Sequence, residues 1–180
     1  MERLSVRRAR DSTCGAARYA WLVAALLAAT SACVHPEEIT GAVTRIASGD
    51  TLFVGDGKSD LEVRLANIGA PQESEYYAPA SRTLLSNMAL NKSVRVAVTG
   101  RDGINRVFGR VFVGALNLNL EMVQRGAAWV CWEYATDTSY LPWENDAIRH
   151  QRGLWYQTSA FDARIRCRSR PPALQPVSKP

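Results

Sequence analysis

Short segments of alternating apolar and polar residues, separated by glycine-containing turns, dominate the middle of this 180-residue chain. Residues 39–47 alternate and are rich in β-branched side chains, and residues 48–50 (Ser-Gly-Asp) then predict a tight turn. Residues 51–54 and 61–65 continue the pattern around a second turn at residues 55–57. Because short strands joined by tight turns pair as antiparallel hairpins, these residues predict the first three strands of a sheet.

The following residues add two more strands and three helices. Alternation predicts strands over residues 93–98 and 106–113, and apolar residues at helical spacing predict helices over 79–90, 118–125 and 141–151. Five short strands with interleaved helices predict an α+β fold, mainly β. The pattern suits a five-stranded oligonucleotide/oligosaccharide-binding barrel with three helices, and other α+β folds stay open at this point.

The positive charge of the chain lies at its two ends. The sequence has a net charge of +5, from 22 basic and 17 acidic residues, and its 47% hydrophobic content excludes a disordered chain. Residues 1–32 hold five arginines and two acids, and residues 164–180 hold five bases and no acid. The remaining residues, 33–163, hold 12 bases and 15 acids. Because this middle region is not basic, bulk charge does not indicate a polyanion partner.

Residues 1–32 have the pattern of a signal peptide, because arginines precede the uncharged run 19–32. The run is short for a permanent membrane helix and ends in small residues before Cys33. Two outcomes are open: lipid attachment at Cys33, which would anchor the protein to a membrane, or ordinary cleavage near Ala32. Both predict export to the bacterial cell envelope, as a lipid-anchored or a free periplasmic protein.

The domain boundaries follow from composition. We expect a short linker over residues 33–38, the barrel domain over 39–157, an arginine-rich extension over 158–170 and a disordered proline-rich tail over 171–180.

The cysteine count agrees with export. Cys14 lies in the predicted signal peptide and Cys33 is the predicted lipidation site, which leaves Cys131 and Cys167 as an even pair. In an oxidising compartment such a pair predicts a disulfide bond, with two unrelated buried thiols as the alternative. The absence of any Cys-x-x-Cys spacing argues against a zinc site.

Five stretches in order resemble the thermonuclease (staphylococcal nuclease-like) family over about residues 40–157. They are VTRIASGDTLFV at 43–54, VRLANIGAP at 63–71, NRVFGRVFV at 105–113, LNLEMVQRGAAWV at 118–130 and RGLW at 152–155. The resemblance implies a five-stranded barrel capped by three helices. It also implies nucleic acid as the partner and calcium as the cofactor.

In that family a metal ion and two arginines bracket a phosphodiester, and a carboxylate activates the attacking water. Charge develops on the phosphoryl oxygens during the reaction, and guanidinium groups stabilise it by bidentate contacts. The resemblance places Asp50 at a metal-binding carboxylate and Arg64 and Arg110 at the two catalytic arginines. Trp132 and Tyr134 fall where the family places aromatic side chains against the nucleotide, and such rings stack on bases.

The sequence departs from the family pattern after the third strand. The family has Asp-Thr/Ala-Pro-Glu, whereas residues 69–72 are Gly-Ala-Pro-Gln. Gly69 therefore replaces the second metal carboxylate, and Gln72 replaces the general base. An amide can orient a water but cannot take its proton, and calcium prefers several carboxylates, so we expect weak calcium binding and weak activity. Glu73 or Glu75 is an alternative base, and Gly69→Asp with Gln72→Glu should restore activity.

Each candidate also has a purely structural interpretation. Arg64 and Arg110 could be strand arginines with their charged heads in water, and Asp50 could be a turn residue. Trp129, Trp132 and Trp155 are all open to an interpretation as core residues, since aromatic side chains fill small barrels, and of the three only Trp132 is kept as a ligand candidate.

Two functions from different classes remain open at this level. One is an exported phosphodiesterase of weak or altered activity, and the other is a non-catalytic barrel that acts as a binding or accessory factor. The chain is also similar to nuclease-like exported proteins encoded among succinoglycan exopolysaccharide genes. That similarity implies an accessory role in exopolysaccharide biosynthesis. No motif identifies a protein partner.

Overall fold

The computed structural model describes residues 37–55, 59–102, 106–131 and 137–157. Several predictions fall on other parts of the chain. Outside the described residues lie the predicted signal peptide, most of the linker, both C-terminal segments, Cys33, Trp132, Tyr134 and Cys167.

The described residues form eight strands, three α-helices and one 3-10 helix. The strands are β1 (Glu38–Ser48), β2 (Thr51–Gly55), β3 (Leu61–Leu65), β4 (Ile68–Gly69), β5 (Ser93–Arg101), β6 (Val107–Val113), β7 (Leu116–Asn117) and β8 (Trp129–Val130). The helices are α1 (Ala78–Ala89), α2 (Leu118–Gln124) and α3 (Leu141–Arg149), followed by the 3-10 helix Gly153–Tyr156. None of the helices in these ranges is both long and apolar enough to cross a bilayer.

Five of the strands close into a barrel, which confirms the predicted fold. The order is β3-β2-β1-β5-β6, and neighbours in this order pair antiparallel. β3 also pairs with β6 in parallel, with Val63 opposite Val107 and Leu65 opposite Gly109, and this seam closes the ring. β7 extends the sheet beyond β6, and β4 pairs with β8 in a separate two-stranded ladder.

The turn between β1 and β2 fixes the position of helix α1. A Cβ atom at Gly49 would lie 1.8 Å from the Ser81 hydroxyl oxygen and 2.9 Å from the Ala70 Cβ. Glycine is therefore required for the helix to approach the turn this closely. Ser81 in turn donates a hydrogen bond to the Ala127 carbonyl at 2.7 Å, so that α1 is held between the turn and the segment after α2.

Inward-facing aliphatic side chains fill the barrel, as the alternation in the sequence predicts. Fully buried members include Val43, Leu52, Val63, Val96, Val107 and Val111 from the strands, with Leu85, Leu118 and Met122 from the helices. Burial of each such side chain contributes about 1.5–3 kcal/mol, which makes this cluster the main source of stability.

A second, smaller cluster packs α3 against the end of the domain. It contains Trp129, Cys131, Ala147, Leu154 and Trp155. The prediction that Trp129 and Trp155 are core residues is confirmed, since they are 4% and 6% exposed.

Element boundaries agree with the sequence within a few residues, with one difference at the third helix. α3 ends at Arg149, and Gly153, at a φ of +58°, then begins a 3-10 helix. The helix stops short of the predicted end because Gln151 takes a left-handed φ of +50°, a conformation that ends an α-helix.

Candidate functional site

Asp50 lies at the centre of a buried hydrogen-bond cluster. Its Oδ1 accepts hydrogen bonds from the Ser48 hydroxyl at 2.7 Å and from the Thr51 hydroxyl at 3.0 Å. Its Oδ2 accepts from Arg64 Nη2 at 3.2 Å and from the Ala70 backbone N–H at 3.1 Å. The residue is fully buried, so these four donors replace the water that would otherwise solvate the carboxylate.

Arg64 reaches Asp50 because β3 pairs antiparallel with β2. Thr51, which follows Asp50, is directly opposite Arg64 in the ladder. Arg64 is only 6% exposed, so the interpretation of this residue as a strand arginine with its head in water is wrong. Its guanidinium is instead part of a buried ion pair, and contact with a substrate phosphate stays a prediction.

Arg110 lies on β6 and, unlike Arg64, has an exposed guanidinium. Its side chain is 47% exposed, and its Nη1 lies 3.8 Å from Asp137 Oδ2. Across the parallel seam Arg64 is opposite Phe108, two residues before Arg110. Since alternate residues share a face of a sheet, both arginines project from the same face, on adjacent strands.

Asp137 is a charged neighbour of Arg110 that no pattern in the sequence indicates. Hydrogen bonds from the Ser139 side chain and backbone, together with a smaller contribution from Arg110, hold the pKa of the Asp137 carboxyl below its usual value. The carboxylate therefore stays ionised beside Arg110 at neutral pH, where it partly offsets the positive charge of that residue.

The buried side chain of Asn119 fixes the backbone on both sides of Arg110. Its Oδ1 accepts from the Val111 N–H at 3.0 Å, and its Nδ2 donates to the Gly109 carbonyl at 3.2 Å. Nδ2 also donates to the Ala66 carbonyl at 2.9 Å, just beyond the end of β3. One amide thus joins the two strands that carry the arginines.

Gln72 lies in the loop that follows β4. Its side-chain Nε2 donates to the Ala70 carbonyl at 3.3 Å, and its backbone N–H donates to Glu75 Oε2 at 2.7 Å. Ala70 also contacts Asp50, so the loop joins Gln72 to the buried cluster. The Glu75 carboxylate binds the backbone of its own loop, an arrangement that favours Glu73 over Glu75 as an alternative base.

The position of Gly69 has no room for a side chain. A Cβ atom there would lie 2.7 Å from Trp129 Nε1 and 3.1 Å from Cys131 Sγ, because β4 pairs Gly69 directly with Trp129. The expectation that Gly69→Asp would simply add a metal ligand is therefore revised: the tryptophan indole occupies the space that a carboxylate would need.

A calcium site of the family type does not fit the described residues. The Asp50 oxygens already accept four hydrogen bonds, Gly69 supplies no carboxylate, and Gln72 supplies at most an amide oxygen. Nowhere in the described ranges do three or more His, Cys, Asp or Glu side chains converge as a metal site would require. Calcium needs six to eight oxygens, several of them charged, and this donor set cannot supply them.

The structure thus brings together three of the residues selected from the sequence, Asp50, Arg64 and Gln72. Arg110 lies on the adjoining strand, and Trp132 and Tyr134 lie outside the described part of the chain. Sequence reasoning missed Asp137, Asn119 and the hydroxyls of Ser48 and Thr51. Of these, only the Ser-x-Asp-Thr spacing carries a local signal, since hydroxyls flanking an aspartate in a turn commonly bond to it.

Comparison with known proteins agrees with this fold. The family model described as "Staphylococcal nuclease homologue" matches residues 62–157. An "Uncharacterized endonuclease" of Escherichia coli is 36% identical over 66% of this chain and 78% of its own length. Another protein of that description, from Haemophilus influenzae, is 38% identical over 73% of this chain and 74% of its own length.

A further relative carries a more specific name. A "Micrococcal nuclease" of Shigella flexneri is 31% identical over 68% of this chain and 77% of its own length. With a closed five-stranded barrel, two arginines on adjacent strands and a family model that matches more than half of its residues, this nuclease-like chain belongs to the staphylococcal nuclease homologue family.

Proposed function

We propose that this protein hydrolyses phosphodiester bonds in nucleic acid, with a catalytic centre that differs from the family pattern. The observation that carries the proposal is the placement of Arg110. Its side chain is half-exposed and projects from the same sheet face as Arg64, and the buried amide of Asn119 fixes the backbone on both sides of it. The names of the relatives, which include "Micrococcal nuclease", support nucleic acid as the substrate class.

In this proposal Arg110 binds the non-bridging oxygens of the scissile phosphate and stabilises the charge that develops on them. Gln72 orients the attacking water through its amide but does not accept its proton, which passes to bulk solvent as the water oxygen bonds to phosphorus and the bond to the leaving strand breaks. Arg64 acts through Asp50: the ion pair holds Ala70, and through it the loop that carries Gln72, in place. Because no strong base is present at Gln72, the rate is about 10²–10⁴-fold below that of a site with a carboxylate there.

The test is a nicking assay on supercoiled DNA with calcium in excess and with EDTA. Arg110→Gln should abolish the residual cleavage, and Gln72→Glu should raise the rate about 10²-fold or more, because it supplies a proton acceptor at an exposed position. Gln157→Glu is the matched control, since it adds the same charge at another exposed position. A wild-type rate equal to that of Gln72→Glu, or an Arg110→Gln variant that cuts normally, would contradict the proposal.

A non-catalytic role is the second candidate, and the saturation of Asp50 by four donors favours it. In this case the barrel binds a polymer without cutting it, as an accessory factor that could serve exopolysaccharide biosynthesis. DNA binding without cleavage in wild type and in Gln72→Glu would support this function. Binding of succinoglycan with no binding of DNA would support the exopolysaccharide role specifically.

The proposal includes export to the bacterial envelope, with residues 1–32 removed and Cys33 either lipidated or close to the new N-terminus. Its support is the sequence pattern. Intact mass of the protein extracted from cells tests it: a chain that still carries residues 1–32 would contradict export, and acyl mass on Cys33 would support the anchor.

The proposal also includes a disulfide between Cys131 and Cys167. Cys131 is buried and disulfide-bonded, and it is the only cysteine within the described residues. Non-reducing peptide mapping should recover the two cysteine peptides as a linked pair, and two alkylatable thiols would refute the assignment.

A further inference from the structure

An open cleft of about 540 Å³ lies beside the candidate site. Its wall includes Pro71 and Glu73, the residues on either side of Gln72, and Ser48, whose hydroxyl binds Asp50. The other wall is helix α1, which contributes Arg82 and Thr83. The glycine contact described above, Gly49 against Ser81, sets the helix at this distance from the turn.

The arginine in this cleft differs from the other described arginines in having no partner for its charge. Arg82 is the only arginine in the described ranges that has neither an ion pair nor an aromatic ring beneath it. The other described arginines form ion pairs or stack on Phe53, and they are Arg45, Arg64, Arg95, Arg101, Arg106, Arg110, Arg125, Arg149 and Arg152.

Glu73 is the corresponding exception among the acids. Within the described ranges it is the only carboxylate that makes neither a hydrogen bond nor an ion pair. The two charges therefore line the same cleft without forming an ion pair, and both side chains are exposed to solvent. A guanidinium left unpaired beside a site of this kind is available to a ligand anion, and Arg binds phosphate oxygens bidentately.

We propose that this cleft binds one internal phosphodiester of the substrate strand, next to the bond that is cut, with Arg82 contacting the phosphate. The volume suits a nucleotide unit, since small-molecule sites commonly measure about 300–1,000 Å³. This inference rests on the proposed function, because it names a second contact for the same strand.

Glu73 gives the cleft a preference for the type of phosphate. An internal phosphodiester carries one negative charge, whereas a terminal phosphate monoester carries about 1.5–2 at neutral pH. Beside the Glu73 carboxylate the second charge is repelled, so the cleft selects internal positions of a strand over its phosphorylated ends. Glu73 thus favours cleavage within a strand.

The experiment is an NMR titration of the purified protein with two probes that each carry one phosphate. The first is the dinucleoside monophosphate of thymidine, with one internal diester, and the second is thymidine 5′-monophosphate. We expect the diester to shift the backbone amides of Ser48 and Thr83 and to bind more tightly than the monoester. Arg82→Gln should weaken diester binding about tenfold, as loss of one charged hydrogen bond would.

Two variants complete the test. Glu73→Gln should abolish the preference for the diester, because the repulsion disappears, and Arg149→Gln, an exposed helix arginine on α3, should change nothing. If the diester shifts only amides around Arg110 and Gln72, the proposed function stands and the cleft is not part of the strand site. If neither probe shifts any amide, both the cleft and nucleic acid as the substrate are wrong.

Discussion

Arg64 and Asp50 form a buried ion pair, with Nη2 and Oδ2 3.2 Å apart and both side chains less than 10% exposed. Two hydroxyls and one backbone N–H also donate hydrogen bonds to the carboxylate. These contacts occupy both carboxylate oxygens of Asp50 and, through the Ala70 N–H, tie the carboxylate to the loop before Gln72.

Asp50→Ala should lower the free energy of unfolding by about 3–5 kcal/mol, because it leaves the Arg64 guanidinium buried and unpaired. Urea denaturation measures the change. Adding Arg64→Met to Asp50→Ala should recover part of the loss, since no orphan charge then remains. As a control, Glu121→Gln breaks the exposed pair with Arg125 and should cost less than about 1 kcal/mol. A similar small cost for Asp50→Ala would contradict the structural role.

Gly69→Ala should destabilise the protein by about 1–3 kcal/mol, because the added methyl group meets the Trp129 indole. Gly69→Asp should cost at least as much and should give no gain in calcium affinity by titration calorimetry. In a Trp129→Phe background the cost of Gly69→Ala should fall, because the smaller ring leaves room. Tight calcium binding by Gly69→Asp would show that the indole moves aside and that the metal site can be rebuilt.

The Asp137 carboxyl should make the stability of the fold depend on pH. Because its pKa is lower in the folded chain than in the unfolded chain, its contribution to stability is present above the unfolded value of about 3.9 and is lost as the pH falls through the folded value. Ser139→Ala should raise this pKa more than Arg110→Gln does, since the Ser139 hydrogen bonds are the larger cause. An NMR titration that follows the Asp137 carboxyl carbon measures this pKa in both variants. A higher pKa in Arg110→Gln than in Ser139→Ala would make Arg110 the dominant partner.

Asn119→Leu should destabilise the protein by about 2–4 kcal/mol, because it leaves the Val111 N–H and the Ala66 carbonyl without their side-chain partner in the core. Asn119→Asp keeps an acceptor for Val111 and loses only the donor to Ala66 and Gly109. Hydrogen exchange should therefore show that the Val111 amide loses protection in the leucine variant and retains more of it in the aspartate variant. Equal exchange of the Val111 N–H in the two variants would argue against this role of the Asn119 side chain.

Local patterns in the sequence were sufficient for the five barrel strands and the three α-helices. Alternation over residues 61–65 predicts β3 with the same ends that the structure has, and helix α2 begins where the apolar periodicity begins. The two-residue strands β4, β7 and β8 carry too few residues to show a period, so no local pattern could predict them.

The contacts of the site were harder to predict, because they join residues far apart in the chain. Nothing in the neighbourhood of Gly69 indicates that Trp129 packs on it, and nothing beside Arg110 indicates Asp137. Arg64 falls on a motif position, yet whether its guanidinium turns to a substrate or to Asp50 depends on the pairing of β2 with β3.

The parallel seam between β3 and β6 also bears on the order in which the molecule assembles. The two strands lie far apart in the sequence, and bringing them together must overcome the entropy of closing the loop that contains α1 and β5. Arg64 and Arg110 are neighbours only across this seam, so a chain with every hairpin formed but the ring still open has no assembled pair of arginines. The step that closes the barrel is therefore also the step that brings Arg64 and Arg110 together.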